Sequence, residues 1–402
     1  MGDRPIAAET GRPPMVVQLL GPSAGGIRAH VAELVRQTES LGWRSTVAGP
    51  AGVMEGVGPQ HMTLGTNASW SPTGLVGIRR QLRRQVKGAA LVHAHGLKAA
   101  AVALLTRRRV PVVVTLHNDV VGTYVGLAAR VRAIGQGLLL RRADQVVFVS
   151  QAGAEAYRSL VPDARRTVMM SFAARPTPTV SRAETRARLG VAESVPLVAV
   201  VARLHPQKDI AMFLHAFALV VATSPDARAV VAGDGPQRDE LVALRDELGL
   251  SEAVHFLGRA DAVADLLAAA DVLAISSRWE AGPIVAVEAM QLGVAVVMTD
   301  TGAVAEVARV ADAASVVAVG DLTEFAAAMG LIVSDPDRRE RLATRGRSLA
   351  DTEFDASVLA HQIDAVYRRA SGRSPIVRMP PWRTVTTPRP IPEAPVPEVP
   401  VP

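Results

Sequence analysis

The sequence predicts an α/β protein of two domains, each built on a parallel sheet. Three observations carry that expectation. Strand-length runs such as 15–20 (MVVQLL), 111–116 (PVVVTL), 197–201 (LVAVV) and 271–275 (DVLAI) are almost continuously apolar, as in strands buried on both faces. Between them lie segments whose apolar residues recur at helical spacing. The chain has 402 residues, enough for two cores, and it is broken near its middle by 171–182, which holds Pro176, Thr177, Pro178 and Thr179. The expected division is a lead 1–13, a first domain 14–175, a linker 176–185, a second domain 186–352, a helix 353–370 and a tail 371–402. The tail is rich in Pro and Val and reads as extended or disordered.

In chain order, strand 15–20 is followed by the loop 21–26 (GPSAGG) and a helix over 27–41. A glycine-rich loop at this place can bring backbone N–H groups against a phosphate. It lacks the G-x-G-x-x-G spacing, so a plain strand-to-helix turn is the other reading. A helix over 74–87 sets Arg79, Arg80, Arg83, Arg84 and Lys87 opposite Leu75, Ile78, Leu82 and Val86. Such a helix packs one face on the sheet and either solvates its basic face or lays it on anionic lipid. Strand 90–95 ends in His93-Ala94-His95. The two histidines share a face but have no third ligand nearby in the sequence, so they read as strand-end histidines and not as a metal site. His117 follows strand 111–116, and ligands in open α/β sheets bind beyond the carboxyl ends of strands. Ser150 closes strand 144–150.

The second half repeats the alternation, with strands at 197–201, 229–232, 254–257, 271–275 and 295–299. Asp335-Pro336-Asp337 has the spelling of a metal-binding D-x-D. Asp335 stands where a helix cap belongs and Pro336 where the first helical residue belongs, ahead of 338–350, so capping is the expectation. A last helix covers 355–370.

The densest chemistry lies in 276–293 (SSRWEAGPIVAVEAMQLG). Pro283 suits the first position of a helix over 284–292 that is apolar almost all round and therefore buried. It carries Glu288, about 7–8 Å along the axis from its start, while Glu280 lies in the loop before it. A buried carboxylate needs donors, so Glu288 is expected to have them waiting. Between the two carboxylates is a helix N-terminus, which attracts anions. Carboxylate, anion site, carboxylate suits a sugar, a diphosphate and a ribose. A structural Glu288 paired with an arginine, and a surface Glu280, is the alternative. Arg203 and Lys208 leave the end of strand 197–201 in one loop, five apart, and taken alone they could be two solvated cations.

Composition narrows the partners. Cysteine is absent, which removes disulfides, thiolate nucleophiles and zinc–cysteine sites. The first residues lack a signal peptide's apolar core, and no apolar run of about 18 residues occurs, so a cytoplasmic enzyme touching a membrane at its surface at most is expected. The net charge of +6 comes almost wholly from arginine, lysine occurring only at Lys87, Lys98 and Lys208. That bias, with abundant alanine, reflects G+C-rich coding. Aromatic residues are few and none interleave with a basic stripe, so nucleic acid is not an expected partner.

The E-x7-E pair Glu280 and Glu288, with Ala289-Met290 and Gly293 behind it, resembles the signature of the retaining glycosyltransferases of family 4, which have the GT-B fold: two Rossmann-like parallel-sheet domains facing a central cleft. Arg203 and Lys208 match that family's R-x4-K, and Gly233-Asp234-Gly235-Pro236 and Phe256-Leu257-Gly258-Arg259 match further loops, so that the likeness covers about residues 14–370. The resemblance implies that Glu280 contacts the transferred sugar and Glu288 the nucleotide ribose. It implies that Arg203 and Lys208 grip the donor's diphosphate, which two cations can neutralise without a metal. Gly258 and Arg259 would lie at the base, and Gly25, Gly26, Ala281, Gly282, Pro283 and Ile284 along the donor. His117, in a T-x-H context, would lie beside the reacting sugar, with His30 a lesser candidate and Ser150 at the cleft. The chain departs from the family at Ala281-Gly282, where Gly-Phe is usual, and at Ala303, where a second glycine is usual. The first departure bears on the sugar pocket.

The implied activity is metal-independent, cofactor-free retaining transfer from a nucleotide-diphosphate sugar to a glycan, lipid-linked or small-molecule acceptor, in cell-envelope or glycoconjugate synthesis. Peripheral membrane contact would run through Arg79, Arg80, Arg83 and Arg84. With no evident side-chain nucleophile, the leaving phosphate would itself assist deprotonation of the acceptor. The rivals are an epimerase or phosphorylase on the same fold and a non-catalytic sugar-nucleotide-binding subunit. A phosphorylase would need a lysine for pyridoxal phosphate, and Lys208 is the only one in the second half. A binding-only subunit need not keep both Glu280 and Glu288.

Overall fold

A computed structural model describes residues 13–373, apart from 23–25, 52, 54–56, 58–59, 66–73, 107–109, 118–126, 171–173, 261 and 281. Residues 1–12 and 374–402, most of the expected lead and tail, lie outside the described residues.

The first half forms β1 (Met15–Leu20), α1 (Gly26–Ser40), β2 (Arg44–Gly49), β3 (His61–Thr63), α2 (Leu75–Gln85), β4 (Leu91–His95), α3 (Leu97–Thr106), β5 (Val112–Leu116), α4 (Leu127–Leu140), β6 (Gln145–Phe148), α5 (Gln151–Ala156) and β7 (Arg166–Val168). Its seven strands are parallel, in the order β3-β2-β1-β4-β5-β6-β7. The second half forms α6 (Arg182–Arg188), β8 (Leu197–Val201), α7 (Ile210–Thr223), β9 (Arg228–Ala232), α8 (Arg238–Glu247), β10 (Val254–Gly258), α9 (Val263–Ala269), β11 (Val272–Ile275), α10 (Ile284–Leu292), β12 (Ala295–Thr299), α11 (Gly302–Val310), β13 (Ser315–Val317), α12 (Leu322–Ser334), α13 (Pro336–Glu353) and α14 (Ala356–Ala370). Its six-stranded parallel sheet has the order β10-β9-β8-β11-β12-β13. The continuous apolar runs are the central strands: β4, β5 and β12 are buried at every residue.

Each sheet grows in one direction from its first strand and then reverses. The reversal falls between β1 and β4 in the first sheet and between β8 and β11 in the second. In open parallel sheets the crevice at such a switch point is where ligands bind. The loop before α1 and the end of β4 flank one switch point; the loops after β8 and β11 flank the other. The two meet: a side chain on Gly26 would start 3.4 Å from the Cδ1 of Ile284, so the first turns of α1 and α10 face each other.

α14 returns to the first sheet and packs on α1. Its seat is polar and buried. Trp43 Nε1 donates to Asp364 Oδ1 at 2.7 Å, Arg368 Nε donates to Asp364 Oδ2 at 2.7 Å, and the Arg368 guanidinium lies 5.8 Å from the centre of the Trp43 ring. Asp335 caps α13, accepting from the Arg338 N–H at 2.9 Å with Pro336 in the first turn, so the apparent D-x-D is a helix start.

The expected linker 176–185 is less free than its prolines suggest. Asp265 on α9 accepts from the Thr179 N–H at 2.5 Å and from its hydroxyl at 2.9 Å, and α6 already begins at Arg182 behind the cap Ser181. On α2 and the two residues after it, Ile78, Leu82 and Val86 are buried, Arg80, Arg83, Arg84 and Lys87 are exposed, and Arg79 is half-buried. Among the described residues no helix is long and apolar enough to cross a membrane.

Candidate functional site

On the second sheet the site is two loops zipped together. The 3-10 turn Pro206–Lys208 follows β8, and the segment 276–283 follows β11. Ser276 Oγ donates to the Lys208 carbonyl at 2.9 Å, the Arg278 N–H to the Gln207 carbonyl at 2.8 Å, and Gln207 Nε2 to the Trp279 carbonyl at 2.9 Å. Arg278 Nε reaches Asp209 Oδ2 at 2.8 Å. Asp209 has φ +47°, a left-handed conformation that a non-glycine residue adopts at a cost.

A third loop buttresses these. A Cβ on Gly233 would stand 1.8 Å from the Ala202 carbonyl oxygen, and one on Gly235 2.3 Å from that of Leu204. Only glycine lets the loop after β9 approach so closely, and the approach is held by Leu204 N–H donating to the Asp234 carbonyl at 3.0 Å. The segment that carries Arg203 is thereby fixed from below.

Into this frame comes Glu280. It is not a surface residue: 9% of its side chain is exposed. Lys208 Nζ donates to its Oε1, and Ser277 Oγ donates to the same oxygen at 2.7 Å. Ser277 is itself buried, its carbonyl accepting from Thr299 Oγ1 at 2.6 Å. The two cations expected to act alike are therefore different. Lys208 is committed to Glu280, while Arg203 is exposed and makes no ion pair among the described residues.

Pro283 is the N-cap of α10 and not its first residue, with φ −70° and ψ 105°. No side chain caps α10, and its first turn holds no carboxylate, so nothing in the helix competes for an anion there. Glu288, on the second turn, also departs from expectation. Among the described residues no donor is within hydrogen-bond distance of it, and burial raises its carboxyl above the usual range. Its hydrogen-bonding capacity is thus left unused by the described residues. Ile284 opens α10 one turn before Glu288, Gly282 is half-buried ahead of Pro283, and Ala281 lies outside the described residues. Gly258 ends β10 with φ +73°, and the exposed Arg259 follows it, two strands away from β8.

On the first sheet the site is a cluster of histidines. His117, after β5, has its Nε2 3.1 Å from His95 Nδ1, and His95 Nε2 is 3.0 Å from Gln18 Oε1 on β1. His30 on α1 packs edge-on against both rings, its centre 4.7 Å from that of His117 and 5.7 Å from that of His95. The HAH histidines have no further ligand near them in the sequence, but the fold brings His30 and His117 beside His95. His30, His95 and His117 offer nitrogens within 4.8 Å of one another, a set able by type to take a zinc-like cation. His93 turns away, to Tyr367 and Thr115. His30, a lesser candidate in the sequence, is central here. Ser150 caps α5, accepting from the Gly153 N–H at 2.9 Å. Gly26 opens α1; Gly25 lies outside the described residues.

All four imidazoles are neutral at physiological pH. Burial lowers His117 to about 4. Burial, with the His117 charge, lowers His93 to about 3. Burial first, and the neighbouring rings second, hold His30 and His95 well below the ordinary value.

Gln18 and Tyr367 did not emerge from the sequence as site residues. Gln18 had one signal, a lone polar residue inside the otherwise apolar strand MVVQLL, where it is fully buried.

Comparison with known proteins gives matches across both halves. Residues 25–173 match the family described as glycosyl transferase 4-like domain, and residues 181–349 match glycosyl transferases group 1. The chain is 30% identical over 348 residues to a D-inositol 3-phosphate glycosyltransferase of Nocardia farcinica, covering 79% of this chain and 73% of that one. It is 25% identical to the alpha-D-kanosaminyltransferase of Streptomyces kanamyceticus, over 76% of this chain and 84% of that one. Among solved structures, Anabaena Alr3699/HepE in complex with UDP and glucose superposes with a TM-score of 0.76 at 23% identity, covering 87% of this chain and 98% of that one.

Proposed function

This chain belongs to glycosyltransferase family 4, the group 1 glycosyltransferases of GT-B fold, and from that premise we propose that it moves a sugar from a nucleotide diphosphate to an acceptor with retention at the anomeric carbon. The observation that carries this reading is the Glu280 carboxylate, held by Lys208 and Ser277 just before an uncapped helix N-terminus. A diphosphate fits against that N-terminus with Arg203 and Lys208 over it. A fixed carboxylate beside it suits the positive charge that develops on a sugar ring as the bond from its anomeric carbon to phosphate oxygen breaks.

The acceptor oxygen then bonds to the same face of that carbon, and its proton passes to the departing phosphate oxygen. Glu288 takes hydroxyls of the ribose, the donors it lacks within the protein. Gly258 and Arg259 lie toward the base, and His117 lies toward the anomeric centre. The complex of Alr3699/HepE with UDP and glucose supports the donor class. The acceptor meets the first sheet, as a glycan, a lipid-linked sugar or a small molecule of envelope or glycoconjugate synthesis. The work is cytoplasmic, with α2 resting its arginines on an anionic membrane surface.

Two cations and a helix N-terminus make a metal unnecessary to the leaving group, so transfer is expected to survive EDTA. The deciding experiment is a thermal-shift screen of UDP, GDP, ADP and their sugars, followed by NMR assignment of the product anomer in EDTA. One nucleotide diphosphate should raise the melting temperature, and the product should keep the donor's configuration. An inverted product, or loss of transfer restored by Mg²⁺, would overturn the mechanism.

A further inference from the structure

The histidines of the first sheet belong to one continuous line of hydrogen bonds. It starts at Thr115 on β5, whose Oγ1 is 2.6 Å from His93 Nε2. His93 Nδ1 is 2.8 Å from the Tyr367 hydroxyl, which accepts from Gln18 Nε2 at 3.0 Å. Gln18 Oε1 faces His95 Nε2 at 3.0 Å, and His95 Nδ1 faces His117 Nε2 at 3.1 Å. All six residues are buried, and they come from β1, β4, β5, the residue after β5, and α14.

Such a line has a direction. A neutral imidazole carries one N–H and one lone pair, so each ring that gives on one side must take on the other. The Gln18 amide sets the sense. Its carbonyl accepts from His95 Nε2–H, which leaves His95 Nδ1 as a lone pair, and His117 Nε2–H must donate to it. On the other side the amide N–H occupies Tyr367, whose own hydrogen goes to His93 Nδ1, and His93 Nε2–H goes to Thr115. Every group in the line is then satisfied, and His117 Nδ1, the one ring nitrogen outside it, is left an acceptor with no partner among the described residues. Turning the amide over would reverse every bond and make that nitrogen a donor.

We propose that Gln18, His95 and Tyr367 are positioning residues that hold His117 in the tautomer whose Nδ1 accepts a hydrogen bond from a hydroxyl of the bound sugar or acceptor. This deepens the reading of His117 given above and rests on it. A neutral acceptor at that place discriminates by chemistry. It takes a hydroxyl, and it repels a group that offers only lone pairs, such as a phosphate oxygen. The burial that keeps all these imidazoles uncharged protects that choice.

The test is long-range ¹H–¹⁵N NMR on protein labelled at histidine, with the His117 signals assigned by their loss in His117→Gln. Hydrogen on Nε2 and a bare Nδ1 is the expected result; the opposite tautomer overturns the proposal on the unmutated protein alone. Gln18→Met keeps the side-chain volume and removes both polar atoms. It should mix the His117 tautomers and lower kcat about tenfold, a hydrogen bond's worth, with KM for donor nearly unchanged. Tyr367→Phe leaves Gln18 and His95 in place and should cost less. A Gln18→Met enzyme with one His117 tautomer as before, or with kcat falling only in step with melting temperature, would show a purely structural line and refute the role. If no nucleotide diphosphate binds, the donor reading fails instead. If His117→Ala leaves kcat intact while UDP or its counterpart still binds, the relay loses its purpose and the donor reading stands.

Discussion

The two walls of the cleft use opposite kinds of polarity. The second-sheet wall is ionic: Lys208 and Glu280 in contact, Arg203 uncommitted and Glu288 without a protein donor. The first-sheet wall is neutral, a line of imidazoles, an amide and a phenol joined by hydrogen bonds. Charges attract phosphates over distance and stabilise charge that moves during reaction. Neutral donors and acceptors sort hydroxyls by geometry. The division matches what each wall would have to do, with the leaving group on one side and a hydroxyl to be recognised on the other.

The largest effect should come from Lys208→Ala, because Lys208 serves two groups. Its loss removes the proposed phosphate cation and leaves Glu280 buried with Ser277 as its one donor among the described residues. Two charged hydrogen bonds of about 1.5–3 kcal/mol each imply a fall in kcat/KM on the order of a thousandfold. Arg203→Ala, one exposed cation, should cost about tenfold. Equal losses in steady-state assays would mean that the ion pair adds nothing and the ionic wall is only a set of separate charges.

Next in size is the division of labour between the carboxylates. Glu280→Gln should lower turnover by roughly 10- to 150-fold. Its affinity for bare nucleotide diphosphate should hold or tighten, since Lys208 is released from its partner. Glu288→Gln should weaken that affinity by a similar factor, with less effect on turnover at saturating donor. Calorimetry beside saturating kinetics separates them, and equal weakening of nucleotide binding by both would refute the assignment.

The neutral wall should show itself in acid. His117 and His93 titrate at about 4 and about 3 in the folded chain against an ordinary 6.5. Below 6.5 the unfolded chain binds protons that the folded one refuses. Their contribution is therefore complete above about pH 6.5 and drains away as pH falls toward 4. Melting temperature should drop by several degrees between pH 7 and pH 5, and His117→Gln should flatten the slope. A level profile across that interval would mean that the imidazoles are hydrated. The smallest expected effect lies outside both walls. Replacing Arg79, Arg80, Arg83 and Arg84 by Ser should weaken sedimentation with anionic vesicles and leave transfer to a soluble acceptor unchanged. Unaltered sedimentation would leave α2 a solvated face.

The ionic wall was legible in the sequence and the neutral wall mostly was not, for a physical reason. Glu280, Glu288, Arg203 and Lys208 each sit within a few residues of a strand end or helix start, so local spacing places them. Central strands were legible because both faces are buried, which leaves an unbroken apolar run. The three-residue strands β3, β7 and β13, and the mixed strand β2 (RSTVAG), carry no such run. Gln18 and Tyr367 meet across 349 residues of sequence, and no periodicity encodes that meeting. Lys208 was recognised but its partner was not, since the contact with Glu280 exists only once two crossovers have folded.

The return of α14 has a consequence for how the protein comes off the ribosome. When residue 180 has been made, every strand of the first sheet exists, yet Trp43 has no Asp364 to receive its N–H and Gln18 has no Tyr367. The second sheet and its helices, continuous from Arg182 to Glu353, can close in sequence order without waiting for anything upstream. The half that is synthesised first is completed last, by the last of the described helices to emerge. Until then its buried amide and indole stand open to water, the stretch of its life in which a chaperone or a protease would find it.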